Sequence, residues 1–534
     1  SGAAPAPPGL GHRANGVIVG ATVPAAAPSG REGRGEWAGV AAAVTVALAL
    51  RLYALGSQPL WMDEVASLRN ALAVRAGGVA AVAAVDHVAP LSHALEAASI
   101  AVGGPTEFWL RLPAAVAGVA TVLLVHLLAR RLGATRRVRV AAVFLVAVNP
   151  LAVWYSQEAR MYSLLLAIAV GYLVVCWRFV EGRATGRTVV AAAFLCAAGL
   201  WTHHYLALLV CAFGLFLLVV RGWRDRQFWW WTAAQAGGAL LFVPWLVLTS
   251  QRSEGTGFEK AGLLAWFPYT VVTFFSGLSM GPSVRELREQ PLTVALAANA
   301  PALALITACC VVVLVVGARY WWQQSRRIAG FLLCCGTVPI ILAIAVTVPT
   351  GVSYNVRYAI TALPAWILLT AGAIAGHPRR TGSRVAAGLV ALVTVVSLVG
   401  WYGNDRYAKE DLRSAAAALR AQAAPEDRVI LDGVNARLAL GYYGWTCRPG
   451  DVAVQSPVGA DALALALSRR SSPGRTWLLV YRPWETDPAG VVESSLGAAG
   501  GLRTVAGWPG VRLLAADGVT DFPQAPGLVL GCAD

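Results

Sequence analysis

Two adjacent carboxylates, Asp63 and Glu64, stand in the stretch PLWMDEVASL, just past the first long apolar run of the chain. A carboxylate placed beside a hydroxyl is a general base, and the pair also offers oxygen ligands to a divalent ion. The same two acids suit the first turn of an interfacial helix, where they meet the positive end of its dipole. Spacing alone leaves both roles open. Asp86 and His87 follow in the same segment, within AAVDHVAPLSHAL. The stretch NPLAVWYSQEARMYSLLL carries Tyr155, Glu158, Arg160 and Tyr162. Glu158 and Tyr162 are four apart and share a face if the segment is helical. Glu158 and Arg160 would form a surface pair closing two helices, but charges so near a hydrocarbon core are costly and tend to serve function.

His203 and His204 are adjacent, so on a helix their rings diverge and make a poor two-ligand metal site. The H-x-x-x-H spacing of a zinc helix is absent here. They read as interfacial residues, with His203 a substrate contact. In SYNVRYAITALPAW, Arg357 offers a planar fork of donors suited to phosphate oxygens, with Tyr354 close by in sequence. An interfacial anchor is the other reading of Arg357. Arg51 and Arg111 are further cations near helix ends, with weaker claims.

These residues need a scaffold, and composition names it. The chain has 534 residues, 57% hydrophobic and 13% charged, with a formal net charge of +15. A soluble domain carries about 25% charged residues, and here the apolar residues gather in runs of membrane-spanning length. About eleven spans are expected: 37–55, 110–129, 138–155, 161–179, 188–206, 207–220, 228–249, 293–318, 328–348, 359–375 and 385–403. Arginines cluster in every even-to-odd loop, as at Arg130–Arg139 and Arg379–Arg384. The positive-inside rule then puts those loops and the N-terminus in the cytoplasm, and the chain after the last span outside. No basic stripe with interleaved aromatics appears, which excludes nucleic-acid binding. Lys260 and Lys409 are the only lysines, a bias pointing to a GC-rich genome such as an actinomycete's.

Residues 1–36, rich in Ala, Pro and Gly, read as a disordered cytoplasmic tail. Residues 37–403 read as an all-α polytopic bundle. Residues 404–534 read as a small extracytoplasmic α/β domain, with a helix over Lys409–Ala424 and strands at RVILDG and TWLLVYR. Cys447 and Cys532 are its two cysteines, and an oxidising compartment favours their pairing as a disulfide.

Four stretches in order resemble the C-type (GT-C) membrane glycosyltransferases, in particular protein O-mannosyltransferases and aminoarabinose transferases. They are RLYALGSQPLWMDEVASL, the run from VDHVAPLSHAL to LLARRL, NPLAVWYSQEARMYSLL and YNVRYAITALPAW, and the resemblance covers roughly residues 40–375. It departs from the family where a His-Pro-Pro-Leu-like stretch reads HVAPL, which loosens the placing of His87 and Pro90. The resemblance implies a polyprenyl-phosphate sugar donor, no nucleotide sugar, and an acceptor on the outer face: a cell-envelope glycan, lipid or protein. Mannose is the first expectation for the sugar and arabinose the second. The family's acidic loop residue falls on Asp63, the expected base, with Glu64 supporting it or binding a divalent ion. Arg357 and Arg160 are expected at the donor phosphate. Asp86, His87, Tyr155, Glu158, Tyr162, His203 and Tyr354 are expected to contact substrate. The alternative is a lipid or sugar transporter without transferase activity, although the sequence has no internal repeat of the kind many transporters show.

Overall fold

The computed structural model describes residues 30–249, 263–350, 354–433, 435–454, 474–499, 501–517 and 529–531. Most of the tail expected over 1–36 lies outside them. Helix α1 (Gly30–Leu52) begins inside that stretch, and Glu36 pairs with Arg139 across the bundle. The segment 56–108 between the first two spans folds chiefly as two helices, α2 (Met62–Gly77) and α3 (Leu91–Gly103). The bundle continues through α4 (Glu107–Arg131), α5 (Arg136–Val148), α6 (Pro150–Ser156) and α7 (Tyr162–Glu181). Next come α8 (Gly186–Thr202), α9 (Leu206–Arg221), α10 (Arg226–Thr249) and α11 (Leu263–Ser276). The last members are α12 (Ala300–Gln324), α13 (Arg326–Thr350), a 3-10 turn (Val356–Ala362) leading into α14 (Leu363–Ala375), and α15 (Thr381–Gly403).

Eight described helical segments are long and apolar enough to cross a membrane, and α5 with α6 makes a ninth, bent by 51°. The protein is a multi-pass membrane protein. The shorter apolar pair α8 and α9 is divided at His203–Tyr205, where the sequence divides it. Helix α11 is apolar and was not expected from the sequence.

The α5–α6 break has a local cause. Pro150 has no N–H to give, so the ladder stops there. Asn149 caps α6, its Oδ1 accepting from Ala152 N at 2.9 Å. The carbonyls at the end of α5, left without helical partners and buried, still need donors. Arg51 of α1 supplies them: it is fully buried and donates to Ala147 O at 2.8 Å, Val146 O at 3.2 Å and Ser156 Oγ at 3.1 Å. Its role is to close this break. Gly118 of α4 lets the crossing happen, because a Cβ there would meet both Ser156 and Arg51.

After α15 the chain builds helix α16 (Leu412–Gln422) and strands β1 (Arg428–Asp432), β2 (Val452–Val454), β3 (Thr476–Tyr481), β4 (Arg503–Trp508), β5 (Val511–Ala516) and β6 (Val529–Gly531). The order is β4-β5-β3-β1-β2-β6, with β1 parallel to β2 and β3 and the other pairings antiparallel. Central strands β1 and β3 are buried at every residue, as expected for continuous apolar runs. One sheet face joins α16 in an apolar cluster that also holds Leu60, Val65, Leu68 and Ala159 of the bundle. The sheet is therefore docked on the bundle through a shared core. Polar contacts fix the docking: Tyr443 Oη accepts from Leu60 N at 2.7 Å, and Arg413 meets Glu107 at 2.7 Å.

Cys447 is disulfide-bonded, and the other seven described cysteines are free. Cys532, its expected partner, lies outside the described residues. Peptide mapping of the unreduced protein is expected to find the Cys447 and Cys532 peptides joined. Recovery of either as a free thiol from oxidised, folded protein would overturn that pairing.

Candidate active site

The bundle end that carries the sheet gathers most of the singled-out residues, and helix α2 is its pivot. Successive residues on a helix point about 100° apart, so Asp63 and Glu64 face different partners. Glu64 turns inward and is fully buried. Its oxygens accept from Arg111 Nε at 2.8 Å and Nη2 at 2.7 Å, from Ala159 N at 2.8 Å, and pair with Lys409 Nζ at 2.9 Å. Burial alone would raise this carboxyl, but Arg111 and Lys409 overcome it and hold Glu64 at about 2. Arg111 spends its remaining donors on Leu55 O, Gln58 O and Pro59 O, each at 2.9 Å, which fixes the approach to α2.

Asp63 faces the other way. Arg357 Nη1 donates to its Oδ2 at 2.9 Å, and Arg160 Nε stands 3.8 Å from the same oxygen. Arg160 also donates to Asp63 O at 3.2 Å. Burial opposes ionisation, yet Arg160, Arg357 and Arg482 together pull the Asp63 carboxyl below its usual range. Asp63 is thus a carboxylate near neutral pH, and its two principal cations come from the α6–α7 turn and the turn before α14.

The α6–α7 turn is held from below. Gln157 Nε2 donates to Tyr53 O at 2.7 Å and Leu50 O at 3.1 Å, its Oε1 accepts from Trp401 Nε1 at 2.7 Å, and Lys409 Nζ reaches its carbonyl at 3.2 Å. Glu158 is buried in that turn, with Oε2 accepting from Trp154 Nε1 at 3.0 Å and Oε1 without a partner. Burial first, then Glu64 and Asp63, push it up to about 7, against Lys409 and Arg357. It does not pair with Arg160, as the sequence allowed; the Glu158 backbone carbonyl accepts from Arg160 N instead, at 2.8 Å.

An aromatic wall flanks Arg357. Its guanidinium lies 5.4 Å from the Tyr162 ring and 5.8 Å from Tyr358. Tyr155 and His203 contact Tyr162, and His203 stacks on Tyr205. Tyr354 is turned towards α11, its hydroxyl 2.6 Å from Thr270 Oγ1. Asp86 ties its loop to α2, accepting from Asn70 Nδ2 at 2.8 Å, and turns the loop by accepting from His87 N at 2.7 Å and Val88 N at 3.1 Å, while His87 is exposed.

The family model for dolichyl-phosphate-mannose-protein mannosyltransferases matches residues 87–248. No curated protein sequence matches the chain significantly. The structure is similar to ArnT from Cupriavidus metallidurans in the apo state, with TM-score 0.52 and 14% identity over 92% of this chain and 100% of that one. It is similar to the same enzyme bound to undecaprenyl phosphate, with TM-score 0.50 and 15% identity over 91% and 99% of the two chains. The Archaeoglobus fulgidus oligosaccharyltransferase in complex with Zn and sulfate gives TM-score 0.49 and 13% identity over 82% and 67%. The fold is that of the C-type membrane glycosyltransferases.

Within this C-type fold the acidic pair does not suit a metal ion. Each carboxylate is committed to cations, and among the described residues no group of three or more His, Cys, Asp or Glu is placed to hold one. Three parts of the arrangement escaped sequence reasoning. Lys409 is one of only two lysines, a rarity that could have marked it. Arg482, at the end of β3, sits over Trp61 at 5.2 Å and pairs with Glu410 at 2.7 Å; nothing local announced it. His93 and Glu96 form a buried pair at 2.8 Å, and their i,i+3 spacing on α3 was the available signal.

Glu158 gives a pH signature. Folding raises its carboxyl from 4.5 to about 7, so the folded state keeps a proton that the unfolded chain releases earlier. Its stabilising contribution is complete below the unfolded value and is lost as pH rises through the folded one. Thermal melts of detergent-solubilised protein are expected to show Glu158→Gln gaining on wild type between pH 5 and pH 8. Parallel pH profiles would refute the perturbed carboxyl.

Proposed function

We propose that the protein transfers a sugar from a polyprenyl-phosphate donor to an acceptor hydroxyl on the outer face of the membrane. The observation that carries this reading is Asp63: an ionised carboxylate held by two arginines at one rim of a C-type bundle. The acceptor's O–H gives its proton to Asp63, and the freed oxygen bonds to the anomeric carbon. The bond from that carbon to the phosphate oxygen breaks, and its electron pair leaves with the lipid phosphate. Arg357 and Arg160 stabilise the charge that develops there. The lipid phosphate leaves as an anion, so no general acid is required. Attack opposite the leaving group inverts the anomeric centre. The likeness to an ArnT structure bound to undecaprenyl phosphate supports a polyprenyl phosphate as carrier. The mannosyltransferase family model over residues 87–248 supports mannose ahead of arabinose. The acceptor class is a cell-envelope glycan, lipid or protein.

Glu64 takes a positioning role in this scheme, because its oxygens are already committed to Arg111, Lys409 and Ala159. Tyr155, Tyr162 and His203 form the wall beside the donor phosphate, with Tyr354 further along it. Asp86 and His87 shape the neighbouring loop. Convergence of charge on one rim favours a transferase over a transporter.

Turnover of polyprenyl-phosphate mannose by purified protein tests the reading. Asp63→Asn keeps the shape of the side chain and removes the base, so turnover is expected to fall about a hundredfold or more. Arg357→Ala is expected to weaken donor binding as well. Near-wild-type turnover in well-folded Asp63→Asn would end the base assignment.

The arginine-rich loops support a cytoplasmic N-terminus and an external C-terminal sheet. Single cysteines at Thr135 and Ala421, both exposed, are suited to the test in a background with native thiols blocked. An impermeant reagent on intact cells is expected to label position 421 alone. Labelling at 135 alone would invert the orientation.

A further inference from the structure

Buried polar atoms without a partner are scarce in folded proteins, and each one calls for an explanation. Among the described residues eleven side-chain atoms are in that state, and five belong to Asp63's two arginine partners, to the start of its helix, to the α6–α7 turn and to the strand end joined to Trp61 by Arg482. They are Trp61 Nε1, Glu158 Oε1, Arg160 Nε, Arg357 Nε and Tyr481 Oη. Four of the five carry a hydrogen to donate, so the site lacks acceptors. A ligand rich in oxygen would satisfy it.

The two arginine nitrogens belong to the machinery already assigned. Trp61 and Tyr481 do not. Tyr481 is the last residue of β3, fully buried, in the apolar cluster that docks the sheet on Leu60 and Val65. Its neighbour Arg482 spans the two rings, 5.2 Å from Trp61 and 5.5 Å from Tyr481. Arg482 has left-handed backbone (φ 50°, ψ 53°), one of two non-glycine residues with positive φ among those described. Such a conformation costs free energy and persists where its surroundings enforce it. Here Glu410 and Glu485 anchor the guanidinium at 2.7 Å and 3.1 Å. Gly433 packs against the Tyr481 carbonyl so closely that a Cβ would collide with it. The strand end is thus fixed on both sides with its hydroxyl unused. Trp61 stands at the start of α2, two residues before Asp63, so the Arg482 bridge brings the strand end to the same helix start as the carboxylate proposed as base.

We propose that the C-terminal sheet completes the substrate site, the Tyr481 hydroxyl and the Trp61 indole N–H hydrogen-bonding oxygens of the polyprenyl-phosphate sugar donor. This rests on the reading above and extends it: donor recognition is shared across the junction between bundle and sheet. A hydroxyl that served the fold through a hydrogen bond would cost stability when removed, whereas removing a buried, unpaired one is neutral or stabilising for the fold.

The test is equilibrium binding to the full-length protein in detergent, with polyprenyl phosphate and polyprenyl-phosphate mannose as probes. The variants are Tyr481→Phe and Trp61→Phe, which keep an aromatic ring in place. Tyr442→Phe is the control, because its hydroxyl already donates to Pro105 O at 2.9 Å. Each of the two variants is expected to bind about three- to tenfold more weakly, the scale of one lost hydrogen bond. The ligand-free melting temperature of Tyr481→Phe is expected to be equal or higher. Weakening with both probes supports a contact to the phosphate; weakening with the sugar-bearing lipid alone supports a contact to the sugar. Unchanged binding of both lipids in both variants overturns this inference and leaves the proposed function standing. A wild-type protein that binds neither lipid overturns both.

Discussion

One buried carboxylate fixes the geometry of the whole rim. Glu64 gathers Arg111 from α4, Lys409 from the exit of α15 and the Ala159 N–H from the α6–α7 turn onto two oxygens. Four separate parts of the chain therefore meet at a single point. Taking these charges out of water costs several kcal/mol per ion, and their mutual attraction returns it only where the geometry is well satisfied. That condition makes the hub intolerant of displacement. If α4 slid by a fraction of a turn, Arg111 would lose Glu64 and three backbone carbonyls together.

The hub also couples the bundle to the sheet. Lys409 binds Glu64 while Glu410, the next residue, binds Arg482 at the end of β3. The two contacts run in opposite directions from adjacent positions. The chain leaving the membrane is thereby locked before α16 begins, and the apolar cluster shared by Leu60, Val65 and the strands closes over it. The sheet is held by charge at its strand end and by burial along its face.

Hydropathy made the bundle legible. Each apolar run corresponds to a helix or a helical pair, because membrane thickness sets the length that a crossing needs. The strands at RVILDG and TWLLVYR are β1 and β3, since two-sided burial writes a continuous apolar run. The α5–α6 bend was harder to see. Apolar composition carries through Asn149–Pro150, and only the distant Arg51 shows that the ladder is interrupted there. Pairings at the site were invisible for a related reason. Asp63 and Arg357 are 294 residues apart, and neither residue's neighbours encode the other. By residue type Asp63 and Glu64 offer the same chemistry, and the family resemblance alone told them apart; in the structure what separates them is the 100° turn between successive helix positions.

That turn divides labour between two identical functional groups. Glu64 is saturated, so nothing in its surroundings asks for a further partner. Asp63 has one close cation and one at 3.8 Å, and both arginines retain a buried Nε–H without an acceptor. A static ion pair would have closed these gaps, as the hub beside it has done for Arg111. Donors left open in a buried site have a cost of about 1–3 kcal/mol each. Oxygens from outside the protein that reached these nitrogens would remove that cost. A phosphate brings several such oxygens and a charge of the required sign. Its arrival would leave the Asp63–Arg357 contact in place and complete the remaining valences. In the proposed transfer, the carboxylate that these cations hold would be the one to take the proton of the incoming hydroxyl.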